Sequence, residues 1–238
     1  MIELYPKTVS QPSPCPYFPE RVCRMEFFYA AQLTEEEADE HLLGGWRCFG
    51  FQYFRPACDC LDCIPIRVPV ARFVPSKSQR RVLRKNADVD VSVGPLRYSD
   101  RMLEIYNEHS RVRFDKGPES SEEFIEKFYT PSGPSAQSEF RIGGKLVGAG
   151  FLNLSAAGIS SVYFIYADGL LDRSFGIFSM LAEIEFAKNA GFAFYYPGYW
   201  IKEHPRMSYK GVLNPKEVRD RATGLWREET AVDDQRYL

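Results

Sequence analysis

The chain has 238 residues, 45% of them hydrophobic and 15% aromatic, enough for one large or two small folded domains, which excludes a disordered protein. Against 30 Lys and Arg stand 32 Asp and Glu, so the net charge of −2 neither marks nor excludes a nucleic-acid partner and local charge decides. No run approaches the roughly 20 apolar residues of a membrane helix, and the proline-punctuated start lacks a secretory core, so a cytoplasmic protein is expected.

A helix is predicted over Leu33–Leu43. Thr34 offers a capping hydroxyl, Glu35, Glu36 and Glu37 suit the positive end of the helix dipole, and Gly44-Gly45 stops it. Ile66–Val70 reads as a short strand with its proline at an edge or end. Ser78–Lys85 is predicted to open a helix. Asp100–His109 and Ser121–Tyr129 have helical spacing. Phe140–Ile142 and Lys145–Leu154 flank Gly143-Gly144, a hairpin signal. Ser161–Tyr166 is a further strand. Phe175–Asn189 is the clearest helix, with Ile177, Met180, Leu181, Ile184 and Phe186 on or near one face and Gly191 past its end. Phe194–Tyr196 is a short buried strand that ends in a Pro-Gly turn.

Hairpin, strand, helix, strand is the order of the N-acyltransferase core. The expected fold class is therefore α+β, a GNAT-like core over residues 76–238 behind a small Cys-rich N-terminal domain over 1–75. In such cores an Arg-x-x-Gly-x-Gly/Ala loop at a helix N-terminus holds the pyrophosphate of coenzyme A. Here that place reads Arg173-Ser174-Phe175-Gly176-Ile177-Phe178. Bulky Phe178 stands where a small residue is needed, which counts against coenzyme A and leaves the scaffold to another acyl donor.

All six cysteines, Cys15, Cys23, Cys48, Cys58, Cys60 and Cys63, lie before residue 64. In a reducing compartment they point to a metal or redox site rather than to disulfides. Cys58, Cys60 and Cys63 can face one ion. Zinc or an iron–sulfur cluster needs a fourth soft ligand, for which Cys15 is the first candidate and Cys23 the alternative. Buried thiols without metal are the competing reading, and Cys48 is read as core packing. Ile64–Ala87 carries Arg67, Arg72, Lys77, Arg80, Arg81, Arg84 and Lys85 and no acid. It either attracts phosphates or forms a solvated face paired with acids such as Glu35–Glu37. His41, His109 and His204 stand in no nucleophile motif and read as ordinary histidines. On pattern alone Phe194–Trp200 is an aromatic core and Lys210 a surface lysine. The other reading is bare backbone and stacked rings brought to a ligand, beside a partly desolvated cation.

Taken together, the motifs resemble the aminoacyl-tRNA–protein transferases, which comprise arginyl-transferases and bacterial aspartate/glutamate leucyltransferases. Cys15-Pro16-Tyr17-Phe18-Pro19 is similar to the family's Cys-x-Tyr-Leu, and Gly45-Trp46-Arg47 to its Gly-Phe-Arg. Tyr53-Phe54-Arg55-Pro56, Cys63-Ile64-Pro65-Ile66-Arg67-Val68 and Ser76-Lys77-Ser78-Gln79-Arg80-Arg81 follow in order. Gly198-Tyr199-Trp200-Ile201 and Met207-Ser208-Tyr209-Lys210 resemble the closing Gly-Tyr-x-Ile and Met-x-Tyr-Lys. Two departures stand out. The family's Cys-x2-Cys-x2-Cys is here tightened to Cys58-x-Cys60, and His204-Pro205 replaces Cys-Pro.

The resemblance implies transfer of leucine, with arginine as the alternative, from aminoacyl-tRNA to proteins that begin with Asp or Glu. The ester is already activated, so no ATP site is needed, and no Gly-x4-Gly-Lys-Ser/Thr is present. Lys210 is expected to stabilise charge at the reacting ester, with Tyr209 beside it. Tyr17, Gln79, Gly198, Tyr199 and Trp200 are expected to bind substrate. Arg80 and Arg81 are expected to select the acidic residue, unless they bind tRNA phosphate instead. Cys15, Cys58, Cys60 and Cys63 are the expected ligands of a structural or regulatory zinc or iron–sulfur cluster. A monomer without a membrane partner is expected. The other readings are a coenzyme A-dependent acetyltransferase and a non-enzymatic RNA-binding module.

Overall fold

The computed structural model describes residues 1–229. The N-terminal part is built from β1 (Ile2–Val9), β2 (Ser13–Pro14), β3 (Val22–Cys23), β4 (Met25–Ala31), α1 (Glu35–Leu43), β5 (Arg47–Phe49) and β6 (Gln52–Pro56). Then come β7 (Ile64–Pro69), α2 (Lys77–Lys85), β8 (Val89–Gly94), α3 (Asp100–Phe114) and α4 (Ser121–Phe128). The last part holds β9 (Ser135–Ile142), β10 (Lys145–Leu154), β11 (Gly158–Tyr166), α5 (Phe175–Asn189) and β12 (Phe194–Trp200). A short 3₁₀ turn at Ser208–Val212 precedes β13 (Lys216–Arg219) and β14 (Trp226–Glu229).

Local chemistry accounts for the helix starts. Thr34, Ser76 and Ser120 each accept from the backbone of the third helical residue, and Glu37, Gln79 and Glu123 reach back, so α1, α2 and α4 all open with a capping box. The strands form a four-stranded sheet in the order β1-β4-β6-β5 and an eight-stranded sheet in the order β14-β13-β7-β12-β11-β10-β9-β8. The larger sheet is antiparallel except at β11 and β12, which run parallel and are joined through α5. The molecule is thus a mixed α+β protein with a large mixed sheet.

The large sheet buries apolar side chains in two clusters. One packs α5 with Val68, Val82, Phe140, Ile159 and Tyr195. The other packs α3 and α4 with Leu146, Phe151 and Ile165. Phe28, Ala30, Leu33, Trp46, Cys48 and Tyr53 form a third, small core on the N-terminal sheet.

Two details depart from the sequence expectations. β7 lies before residue 75, yet it sits inside the large sheet between β12 and β13. Pairing to β13 involves only Ile66 and Arg67, so Pro65 and Pro69 fall outside that ladder and their missing N–H groups cost it nothing. The Pro197-Gly198 pair does not end the strand. β12 continues to Trp200 through a register shift between Tyr195 and Gly198, and Gly198 takes φ +96° at this bulge.

Candidate functional site

Lys210 lies in the Ser208–Val212 turn, and three elements hold that turn. Trp200 Nε1 from β12 donates to Ser208 O at 3.1 Å, Lys216 Nζ from β13 to Gly211 O at 2.9 Å, and Gln79 Nε2 from α2 to Val212 O at 3.0 Å. Short 3₁₀ turns leave carbonyls without backbone partners, and here side chains supply them. Gly211 has no room for a side chain: a Cβ there would lie 2.6 Å from the Trp200 ring.

Held in this way, the Lys210 ammonium has no hydrogen bond or ion pair among the described residues. It is half-buried and protein surrounds it on most sides. Burial first, and then the Arg47 guanidinium, lower its pKa to about 7.

Arg47 leaves β5 and crosses to the large sheet. Nη1 donates to Ser160 Oγ at 2.7 Å and to Tyr196 O at 3.2 Å, and Nη2 donates to Ser161 O. It is buried without a carboxylate among the described residues, and that burial lowers its pKa. Gly198 passes directly over it: a Cβ there would sit 3.3 Å from the guanidinium. The bare backbone of the Pro-Gly pair therefore serves an internal arginine.

Tyr17 and Tyr209 are partly exposed, and the two are near enough for the charge of one to act on the other. Burial raises the Tyr17 pKa, the nearby Cys63, Cys15 and Cys23 add to it, and Arg47 opposes. Its ring meets His204 edge-on at 5.2 Å. Tyr209 is pushed up to about 12 by burial and then by Glu183. Glu183 on α5 is 1% exposed, accepts from Ser138 Oγ at 2.8 Å and Tyr195 OH at 2.7 Å, and has its pKa raised by burial.

The structure divides the expected site residues. The Arg47 charge acts on both Tyr17 and Lys210, and Tyr17 acts on Tyr209. Tyr199 and Trp200 are buried fasteners: Tyr199 OH donates to Gly45 O at 3.1 Å and Phe54 O at 3.3 Å, while Trp200 clamps the turn. Gln79 is buried and capping, whereas Arg80 and Arg81 stand exposed on the other side of α2. Consecutive helical residues point about 100° apart, so Gln79 faces the core while Arg80 and Arg81 face outward.

Arg47, Glu183 and His204 were not among the expected site residues. Glu183 had a signal: it is an acid on the apolar stripe of α5. Arg47 had a weaker one, a lone cation between core residues Trp46 and Cys48. A separate cleft lined by Cys48, Phe49, Lys127, Phe128, Pro131 and Asn153 holds no comparable set, because its Lys127 is committed to Glu119 at 2.6 Å.

At the start of α5, Phe178 is turned into the core against Phe140 and Phe175. Its bulk therefore does not fill the place of a pyrophosphate. The loop's cation is nevertheless committed, since Arg173 pairs with Asp88 at 2.6 Å.

The β2–β3 hairpin brings Cys15 and Cys23 toward Cys58, Cys60 and Cys63, close enough for their charges to act on one another. Burial, then these neighbours, push Cys23 up to about 11 and Cys63 up to about 12, so as they stand they are neutral thiols. The donor chemistry suits zinc or an iron–sulfur cluster. As the side chains stand, no three His, Cys, Asp or Glu among the described residues are grouped to hold an ion.

The family profile described as Arginine-tRNA-protein transferase, C terminus, matches residues 101–220, and its N-terminus counterpart matches residues 13–81. The chain is 36% identical over 223 residues to the aspartate/glutamate leucyltransferase of Marinobacter nauticus, covering 91% of this chain and 93% of that one. It is 30% identical to the protein of that name from Helicobacter hepaticus, covering 92% of each. Among solved structures, FemX aligns with a TM-score of 0.45 at 8% identity, over 82% of this chain and 79% of that one. Profiles at both ends and relatives along nearly the whole length agree: the chain belongs to the arginine-tRNA-protein transferase family.

Proposed function

We propose that the protein moves an aminoacyl group, leucine in the first place and arginine as the alternative, from its tRNA ester to the α-amine of proteins beginning with Asp or Glu. The observation that carries this reading is Lys210, a lysine without a side-chain partner among the described residues, in a turn clamped from three sides. The names of the relatives support the choice of leucine and of acidic acceptors. The order β9, β10, β11, α5, β12, with β11 and β12 parallel, supports a GNAT-like acyl-transfer core.

The acceptor amine attacks the ester carbonyl. A C–N bond forms, the bond to the ribose oxygen breaks, and the amine gives up a proton that ends on that oxygen. Burial alters the part expected of Lys210. An ammonium with a pKa near 7 is neutral about half the time at cellular pH, so it can take the proton from the attacking amine and return it to the leaving oxygen. Tyr17 and Tyr209 wall the pocket, and positioning supplies much of the rest.

Selection of an acidic first residue needs a cation. Arg47 stands at the pocket with more N–H groups than acceptors, and Arg80 and Arg81 do not. A zinc ion or iron–sulfur cluster at the thiols is a separate proposal. It requires them to lose protons and draw together, and no step above runs through it. A tRNA donor fits a cytoplasmic reaction.

Incubation with labelled Leu-tRNA or Arg-tRNA and peptides beginning with Asp, Glu or Ala tests the function. Label from Leu-tRNA on the Asp and Glu peptides is expected. No transfer from either tRNA would overturn the reading.

A further inference from the structure

The outward side of α2 is a cationic face with no carboxylate partner among the described residues. Lys77, Arg80, Arg81, Arg84 and Lys85 are all exposed, while Gln79 and Val82 are buried and Leu83 is partly buried. At 100° per residue the five cations occupy an arc of about 140°, opposite the buried side. Elsewhere in the basic stretch, Arg67 pairs with Glu217 and Arg72 with Glu228. The five α2 cations have no carboxylate partner among the described residues. Arg80 donates to Pro75 O at 2.6 Å and Lys85 to Asp172 O, both backbone carbonyls. The nearby acid Asp88 is taken by Arg173.

This face works against the helix that carries it. Lys77 and Arg81, Arg80 and Arg84, and Arg81 and Lys85 are like-charge pairs at i,i+4, each unfavourable to an isolated helix. Lys77 also sits at the positive end of the helix dipole. Helix stability therefore does not explain the pattern, and an anionic partner does. The same helix also reaches the turn that carries Lys210, because Gln79, on the opposite side of its first turn, bonds to Val212.

We propose that the exposed face of α2 is the surface that takes the backbone phosphates of the donor tRNA, next to the end that carries the aminoacyl group. This inference rests on the function proposed above. Rows of guanidinium and ammonium groups without counter-ions match a phosphate chain, and binding releases the counterions condensed on it. A single acidic side chain on the acceptor would use one of these cations and leave four idle.

The test is the variant Lys77→Ala/Arg84→Ala/Lys85→Ala, whose changed side chains are all exposed, so the fold is expected to persist and circular dichroism checks it. Its affinity for Leu-tRNA is measured from 50 to 200 mM salt. The expected result is a 10- to 100-fold weaker Kd, with the slope of log affinity against log salt shallower by about two to three, near 0.7–0.9 for each lost phosphate contact. Transfer from a short donor, the leucyl ester of adenosine, is expected to fall much less than transfer from Leu-tRNA. An unchanged slope in a folded variant overturns the inference while wild-type transfer from Leu-tRNA leaves the parent function standing. If Arg80→Ala/Arg81→Ala instead abolishes the preference for Asp over Ala peptides and leaves tRNA affinity intact, the face belongs to the acceptor and the inference fails. Absence of wild-type transfer from any tRNA removes both readings together.

Discussion

A Cβ at Gly198 would press on the Arg47 guanidinium from 3.3 Å, and the residue already holds φ +96°, a conformation that L side chains rarely adopt. Gly198→Ala is therefore expected to cost about 1–3 kcal/mol, read as a lower urea midpoint, and to move Arg47. Lys210 carries the sharpest prediction on activity. Its pKa near 7 means that the neutral form accumulates as pH rises, so a proton-accepting lysine makes kcat/KM climb through about pH 7. A lysine acting as a cation makes the rate fall over the same range once the titration of the acceptor α-amine, about 7.7–8.0, is divided out, so the corrected profile separates the two roles. Lys210→Ala is expected to lower kcat by about 10²- to 10⁴-fold, and Lys210→Arg, always charged, should not restore it. Near-normal transfer by Lys210→Ala would remove this lysine from the mechanism.

At the scale of elements, the 208–212 turn depends on α2, β12 and β13, each lending one donor. Gln79 has two duties: it accepts from Ser76 N at 2.8 Å in the capping box and donates to Val212 O. Gln79→Ala removes both and leaves Val212 O with only the longer bond from Asn214 Nδ2 at 3.4 Å, at a cost of about 1–3 kcal/mol. Because the same bond steadies the turn of Lys210, kcat should fall further than stability alone predicts. Steady-state kinetics well below the unfolding temperature measure this, and an unchanged kcat would show that the turn holds without α2.

For the molecule as a whole, the helices packed on the large sheet bury groups that titrate. His109 on α3 lies against Tyr166 of β11, with Nδ1 3.3 Å from Tyr166 O, and burial followed by Arg113 lowers its pKa from 6.5 to about 4. Below pH 6.5 the unfolded chain takes up a proton here that the folded chain refuses until about pH 4. This contribution is complete above pH 6.5 and is lost as pH falls through that window, by about 3 kcal/mol in all. Thermal unfolding from pH 7 to 4 should show the loss, and His109→Gln should flatten it.

Elements governed by their own few residues were legible in the sequence. α1 begins and ends as Thr34 and Gly44-Gly45 require, α5 spans Phe175–Asn189 as its apolar spacing indicates, and the Gly143-Gly144 hairpin joins β9 to β10. Caps, glycines and periodicity act over one or two turns of chain, so they need no partner. The N-terminal sheet was missed because its Cys-, Pro- and aromatic-rich strands carry no clean alternation. Its pairing is between distant segments, as in β1 with β4. The site was half visible. Motif resemblance pointed to Lys210, Tyr209 and Tyr17, and in the structure the Arg47 charge acts on both Tyr17 and Lys210. Only the tertiary structure separated Gln79 from Arg80 and Arg81, turned Tyr199 and Trp200 into fasteners, and set Arg47 beneath Gly198. Lys210 shows the physical reason most directly. Its charge is a property of the residue, but its pKa depends on burial and on Arg47, which comes from a distant strand and meets it only in the fold.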